Sequence, residues 1–242
     1  MSTDSRIDLT AFSERIATLR QRVADNVVGQ SQPVHLLLTA LMADGHVLLE
    51  GVPGVAKTLL AKTLSHLLRA DFRRIQFTPD LMPTDVLGTS IFNLGTQQFD
   101  FHPGPVFTQV LLVDEINRAP AKTQAALFEV MEERQVTLDG KTRKLDPCYL
   151  VIATQNPVEQ EGTYRLPEAQ LDRFLLKIDM GYPSHEEELE ILSRYNAGVD
   201  LRDVSALQPV ISAEELLEMR KMLPQVVADE RILHYITGLI EG

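Results

Sequence analysis

The chain has 242 residues, a formal net charge of −11 and a hydrophobic fraction of 44%. This length and composition predict a folded protein with one large domain, or one domain plus part of a second, and exclude a mostly disordered chain. The negative charge disfavours nucleic-acid binding, because an acidic surface repels phosphate backbones. The sequence shows no secretion signal and no apolar stretch long enough to span a bilayer, so the cytoplasm is the expected location.

The hydrophobic pattern predicts strands that alternate with helices, which indicates an α/β fold with helices on both faces of a parallel sheet. The predicted elements, in chain order, are helix 11–26, helix 31–43, strand 46–50, helix 58–68, strand 74–78, strand 110–113, helix 122–133, strand 149–153 and strand 174–178.

Two hairpins and a helical tail complete this prediction. Residues 90–94 and 98–101 flank Gly95, which is a hairpin signal. A second hairpin is predicted around Asp139-Gly140, a dipeptide that favours a tight turn between strands. After Pro183 the pattern is helical only, and the predicted helices are 185–195, 213–222 and 230–240.

The strongest motif is the loop between the first strand and the third helix. Such a glycine-rich turn offers backbone N–H groups to phosphate oxygens, and the helix N-terminus adds positive partial charge. Lys57 can reach the outer phosphates, and Thr58 can place its hydroxyl on Mg²⁺. The pattern predicts a nucleoside triphosphate site, with ATP as the ligand, although an ordinary strand-to-helix turn is the alternative. The loop residues are Gly51, Val52, Pro53, Gly54, Val55, Ala56, Lys57 and Thr58.

Ala56 departs from the usual form of this motif, which has glycine immediately before the lysine. The extra methyl group is tolerable if the backbone at Ala56 does not need a positive φ.

Polar residues follow two of the predicted buried strands. Asp114 and Glu115 end one strand, and the carboxyl ends of parallel strands meet at the ligand crevice. Asp114 is expected to hold Mg²⁺, directly or through water, and Glu115 to polarise the attacking water. Asn156 follows another strand and could bond the terminal phosphate or that water, or it could simply form a turn with Pro157.

Arg173 precedes the last predicted strand. It could stabilise developing phosphoryl charge as an arginine finger. It could equally be a surface residue that pairs with Asp172 or Glu168, and the pattern alone leaves both open. Two other residues have structural interpretations: Cys148, the single cysteine, is expected to be a small buried residue, and His46 is expected to pack beside the core strand.

These motifs in this order resemble the MoxR family of AAA+ ATPases. The resemblance implies a P-loop AAA+ fold with a parallel sheet flanked by helices, two β-hairpin insertions and the start of a small C-terminal helical lid. It implies a nucleotide-binding domain with N-terminal helices over residues 1–182, and a linker with an incomplete lid over residues 183–242. It is carried by residues 28–30, 45–58, 113–119 and 161–174.

The same resemblance assigns roles to single residues. Val28 and Gly29 would line the adenine pocket, Asn156 would be sensor 1, and Arg173 would be the arginine finger offered to a neighbouring subunit. Ala56 before the lysine is normal in the family. Arg165 stands where proline is expected. No sensor 2 arginine motif is found near the end, so we expect a truncated lid and impaired hydrolysis in this chain.

The resemblance also implies partners and cofactors. MoxR-like proteins use ATP and Mg²⁺, form homo-oligomeric rings that are usually hexamers, and remodel or mature other proteins, often with von Willebrand factor A domain partners. A P-loop small-molecule kinase, a non-hydrolysing nucleotide-dependent scaffold and a DNA motor are the alternatives. The adjacent acids at 114–115 and the two hairpins argue against the kinase. Phosphate release from ATP would distinguish an ATPase from the scaffold.

Overall fold

The structure is a computed structural model that describes residues 9–157, 164 and 166–241. Its helices are α1 Thr10–Asn26, α2 Ser31–Met42, α3 Lys57–Leu67, α4 Pro83–Leu87, α5 Ala121–Glu133, α6 Glu168–Leu171, α7 His185–Asn196, α8 Ala213–Arg220 and α9 Glu230–Glu241. Its strands are β1 His46–Glu50, β2 Phe72–Gln76, β3 Gly88–Asn93, β4 Gln98–Pro103, β5 Val110–Asp114, β6 Gln135–Leu138, β7 Lys141–Lys144, β8 Leu150–Gln155 and β9 Phe174–Asp179.

The main sheet is parallel, as predicted. Within the described ranges it has five strands in the order β2-β5-β8-β1-β9. The register aligns Glu50 with Gln155 and Gln76 with Asp114. Since all these pairings are parallel, the carboxyl ends of β1, β2, β5 and β8 meet at one edge of the sheet. The loop 51–56 begins at this edge.

Alternate residues of the central strands enter two apolar layers on opposite faces of the sheet. Val47 and Leu49 pack in one layer with α1, α2, α3 and α8, whereas Leu48 packs in the other with α5. Each fully buried leucine or valine contributes about 1.5–3 kcal/mol, so burial on both faces fixes the sheet strongly. The α/β architecture expected from the sequence is confirmed.

The helices after β9 differ in how they pack. The segment leading into α8 is bound to α3, since the Val210 and Ile211 N–H groups both donate to the Leu67 carbonyl oxygen, at 2.8 and 3.2 Å. Leu216 of α8 is fully buried in the layer shared with α2. By contrast, residues 230–240 of α9 are all exposed. The division at residue 182 stays a prediction, and α8 shares its apolar layer with helices that precede that point.

Both predicted hairpins are present. β3 pairs with β4 and β6 pairs with β7, each antiparallel. Asp139 and Gly140 have φ of 53° and 71°, as a two-residue turn of type I′ requires. The hairpins also contact each other, because the Arg143 guanidinium lies 3.8 Å from the centroid of the Phe101 ring and the Ser90 hydroxyl donates to Asp139. The two insertions therefore form one packed unit.

The remaining differences from the prediction have local causes. β2 covers residues 72–76 rather than 74–78, because its pairing with β5 begins where the Val110 N–H donates to the Asp71 carbonyl, at 2.8 Å. The short helices α4 and α6 were not predicted, since four or five residues carry too little periodicity. The bounds of the predicted elements otherwise agree to within two residues.

Cys148 is buried, as expected, and burial raises the pKa of its thiol to about 11. An unreactive, protonated thiol fits a packing role. None of the helices in the described ranges combines the length and the apolar character that a membrane crossing requires.

His46, the first residue of β1, is a neutral core group. Its Nδ1 accepts the Val151 N–H at 3.0 Å, and its Nε2 lies 3.2 Å from the Met131 carbonyl oxygen. Burial, helped by repulsion from Arg134, lowers the pKa of His46 from 6.5 to about 4. The expectation that His46 packs beside the core strand is confirmed, and one tautomer satisfies both contacts.

His46 should make the stability of the fold depend on pH. The unfolded chain binds a proton at this residue below about pH 6.5, whereas the folded chain binds it only near pH 4, so stability is lost as pH falls through this window. We expect His46→Gln to remove about 3 kcal/mol of the change in unfolding free energy between pH 7 and pH 4. Denaturant titrations across this range measure it, and equal pH slopes in both proteins would contradict a neutral buried imidazole.

Candidate functional site

The loop between β1 and α3 turns sharply before the helix begins. Gly54 has a φ of 92°, which glycine adopts without steric cost. Lys57 is the first residue of α3, and its Nζ donates to the carbonyl oxygens of Gly51 and Val52, the latter at 3.4 Å. Val55 is buried in the apolar layer below the loop, so the loop is anchored to the core at its centre.

The backbone at Ala56 has the positive φ that makes a methyl group costly. Ala56 has a φ of 63° and a left-handed backbone, because the chain must reverse at this residue to enter α3. A non-glycine residue in this conformation costs about 1–2 kcal/mol, since its Cβ crowds the following carbonyl oxygen. The loop therefore stores backbone strain at the residue before the lysine.

The predicted polar residues converge on one cavity of about 300 Å³ at the carboxyl edge of the sheet. Lys57, Thr58, Asp114, Glu115 and Asn156 all line it. Three separate sequence signals thus meet in space, as the parallel topology requires. The other lining residues are Pro53, Gly54, Ala56, Leu59, Arg74, Gln76 and Thr154.

Asp114 is a buried carboxylate with both oxygens engaged. The Thr154 hydroxyl donates to its Oδ1 at 3.1 Å, and Arg74 Nε donates to its Oδ2 at 2.5 Å. A buried charge is costly unless it is paired and hydrogen-bonded, and these two contacts supply both.

Glu115 faces the same cavity because the backbone turns at this residue. Adjacent residues of a strand point to opposite faces, but Glu115 has a φ of 55° and lies just beyond β5. Its N–H donates to the Thr154 hydroxyl at 3.0 Å. Its carboxylate accepts from Gln76 Nε2 at 2.6 Å and from Arg118 at 3.0 Å. The left-handed turn thus brings two adjacent acids to one site.

Three polar lining residues were missed in the sequence: Arg74, Gln76 and Thr154. Arg74 and Gln76 are alternate residues of β2 and therefore project from the same face of the sheet. That alternation, on a strand beside the one that carries Asp114, is the signal that could have identified them. Thr154 lies two residues before Asn156, but its hydroxyl contacts become apparent only when β5 and β8 are paired.

A second cavity of about 960 Å³ lies on the other side of the loop and shares Gly54, Ala56 and Leu59 with the first. Val28 lines it, opposite Leu192 and Tyr195 of α7. The mixture of apolar side chains and a ring suits a nucleotide base and sugar.

Gly29 is not among the residues that line this larger cavity in the described structure. It has a φ of 78°, and a Cβ placed on it would lie 2.8 Å from the Pro183 Cβ. Gly29 therefore allows the chain beside Val28 to pack closely against Pro183, in front of α7.

Arg173 lies away from both cavities. The register of β9 with β1 aligns Phe174 with His46, at the end of β1 opposite to the loop. The five residues of β1 span roughly 16 Å, further than an arginine side chain extends. Its guanidinium pairs with Glu132 of α5 rather than with Asp172 or Glu168. Arg165 and residues 161–163 of the same motif lie outside the described residues.

Comparison with known proteins identifies the family. The profile of the ATPase family associated with various cellular activities (AAA) matches residues 46–176, more than half of the chain. Chaperone MoxR1 of Mycobacterium tuberculosis is 49% identical over 88% of this chain and 55% of its own. Protein MoxR of Methylorubrum extorquens is 34% identical over 87% of this chain and 67% of its own. The chain belongs to the MoxR family of AAA+ ATPases.

A solved structure supports the same fold. The crystal structure of a protein from Cytophaga hutchinsonii, assigned as an ATPase, superposes on this MoxR-family chain with a TM-score of 0.79. The two are 45% identical, and the match covers 97% of this chain and 72% of the other. The AAA+ fold expected from the motifs is confirmed.

The strained alanine gives a test of the loop geometry. We expect Ala56→Gly to raise the free energy of unfolding by about 0.5–1 kcal/mol, because relief of the left-handed strain exceeds the added entropy of the unfolded chain. Ala61→Gly, in the interior of α3, is the matched control and should lower stability by about 1 kcal/mol or more. Denaturant titration measures both, and a loss of stability in Ala56→Gly would contradict the left-handed backbone.

Proposed function

We propose that this chain binds Mg·ATP and hydrolyses it as one subunit of a cytoplasmic homo-oligomeric ring. The observation that carries the proposal is the single cavity lined by Lys57, Thr58, Asp114, Glu115 and Asn156. The base and sugar would occupy the larger cavity beside Val28, and the phosphates would follow the loop 51–58 into the smaller one. Lys57 would then exchange its loop carbonyl contacts for phosphate oxygens.

The residues present fit a magnesium ion. Mg²⁺ in nucleotide sites takes oxygen ligands from one or two protein side chains together with the phosphates and water. The Thr58 hydroxyl and the Asp114 carboxylate line the same cavity and are ligands of this kind. When bound, the ion would neutralise charge that develops on the phosphate oxygens.

Glu115 and Asn156 are the residues proposed to act on the attacking water. Glu115 would accept a proton from the water, and contacts with Gln76 and Arg118 hold its carboxylate at the cavity. Asn156 is buried at the end of β8, where its amide could orient the water or the terminal phosphate. Hydrolysis by this route needs no acceptor substrate, unlike the kinase alternative.

Glu115→Gln tests this role. The amide keeps the size of the side chain but cannot take the proton, so phosphate release from ATP alone should slow by roughly two to four orders of magnitude. ATP affinity, measured by calorimetry, should change little. Glu129→Gln, on the exposed side of α5, is the matched control and should leave both unchanged. Turnover near the wild-type rate in Glu115→Gln would mean that another residue activates the water.

The position of Arg173 supports the proposal of a ring. Because this residue is separated from its own loop by the length of β1, it could act on a phosphate only in a neighbouring subunit. The Glu132 ion pair would hold its guanidinium at the subunit edge until assembly. We propose a hexamer on the resemblance to the family.

Arg173→Ala separates a ring from an independent subunit. The variant should bind ATP normally but lose hydrolysis, since an arginine finger supplied by a neighbour contributes roughly three to five orders of magnitude in rate. Mixing it with Lys57→Ala subunits should restore part of the activity. In the mixture, an intact Arg173 from one subunit faces an intact loop 51–58 of another. Lys177→Ala, an exposed cation on β9, is the control.

Two results of these experiments would contradict the proposed role of Arg173. Wild-type hydrolysis by Arg173→Ala would make the arginine a surface residue and remove this argument for a ring. Loss of hydrolysis without rescue, in a mixture that light scattering shows to be assembled, would contradict action between subunits.

We also propose that the work of the ring is to remodel protein partners, with von Willebrand factor A domain proteins among them. Support comes from the relative named Chaperone MoxR1, which is 49% identical to this chain. The net charge of −11 favours proteins over nucleic acid as the partner.

A further inference from the structure

Arg74 lies on the edge strand of the sheet and contacts a buried carboxylate. It lies on β2, at the edge of the sheet, and its Nε donates to Asp114 Oδ2 at 2.5 Å. The Arg74 side chain is 50% exposed, whereas the Asp114 side chain is 9% exposed. A guanidinium that approaches from solvent thus covers a carboxylate at the bottom of the cavity.

The contacts of Asp114 leave little room for a second cation. Thr154 donates to Oδ1 and Arg74 donates to Oδ2, so an ion that approaches Asp114 meets the positive charge of Arg74 beside Oδ2. Thr154 is buried and also accepts the Glu115 N–H, which fixes its place. Arg74 is the donor free to withdraw, because its side chain is half exposed whereas Thr154 is buried.

We propose that Arg74 is a built-in counter-cation that competes with Mg²⁺ for Asp114 and, once displaced, faces the phosphates of the nucleotide. Without a nucleotide, Arg74 balances the buried charge of Asp114. With Mg·ATP, the ion replaces Arg74 at Asp114, and the guanidinium stays in a cavity that it shares with Lys57. This inference rests on the nucleotide site proposed above.

The competition gives Arg74 two effects of opposite sign. It opposes Mg²⁺, because two cations at one carboxylate repel each other, and the ion binds more strongly once Arg74 has withdrawn. It favours ATP without Mg²⁺, because its charge offsets the repulsion between Asp114, Glu115 and the phosphates. A residue with a purely structural role would change both affinities in the same direction.

The experiment measures ATP binding to the whole chain by calorimetry, once in EDTA and once over a magnesium titration. In Arg74→Gln, the Mg²⁺ concentration for half-maximal enhancement of ATP binding should fall about tenfold, and affinity for ATP in EDTA should fall about tenfold, as expected for a charged hydrogen bond. Arg74→Lys should lie between Arg74→Gln and wild type. Arg73→Gln, the neighbouring arginine of β2, should change neither by more than about twofold.

The outcomes separate this inference from the proposed function. If wild-type protein binds no ATP with or without Mg²⁺, the proposed nucleotide site itself fails. If wild type binds ATP and Arg74→Gln shows unchanged values, or weakens both affinities equally, only the counter-cation role is overturned. Circular dichroism of each variant verifies that the sheet is intact.

Discussion

The parallel register of the sheet is the constraint on which the rest of this structure depends. Because β1, β2, β5 and β8 all end at one edge, residues far apart in sequence become neighbours there. The loop after β1, the acids after β5 and the amide after β8 share one cavity for this reason alone. Two apolar layers hold the strands in register, so the packing of the core determines the geometry of the site.

Backbone strain and a buried charge are also present at this same edge. Ala56 and Glu115 both have left-handed backbones, and Asp114 is a buried carboxylate. Each of these features costs stability. The left-handed backbone at Ala56 ends the loop so that α3 begins at Lys57, and the one at Glu115 turns its carboxylate toward the cavity. The burial of the strands on both faces offsets these costs.

The sequence predicted most of the fold, because long apolar runs and glycine loops report on local structure. The residues of the loop, both acids and Asn156 were identified from motifs, whereas Arg74 and Thr154 were missed. Their importance depends on which strands are neighbours, and strand order is set by packing of the whole chain rather than by any local pattern. The sequence left the φ of Ala56 open for a related reason, since the direction in which α3 leaves the sheet decides it.

The contact between the two hairpins has a consequence for how sequences of this kind diverge. Arg143 of one insertion covers the Phe101 ring of the other, and Asp139 accepts a bond from Ser90, 49 residues earlier in the chain. A deletion that shortened the second hairpin would expose the Phe101 ring. A deletion that shortened the first would leave Arg143 without that ring as its partner. The lengths of the two insertions should therefore change together among related proteins.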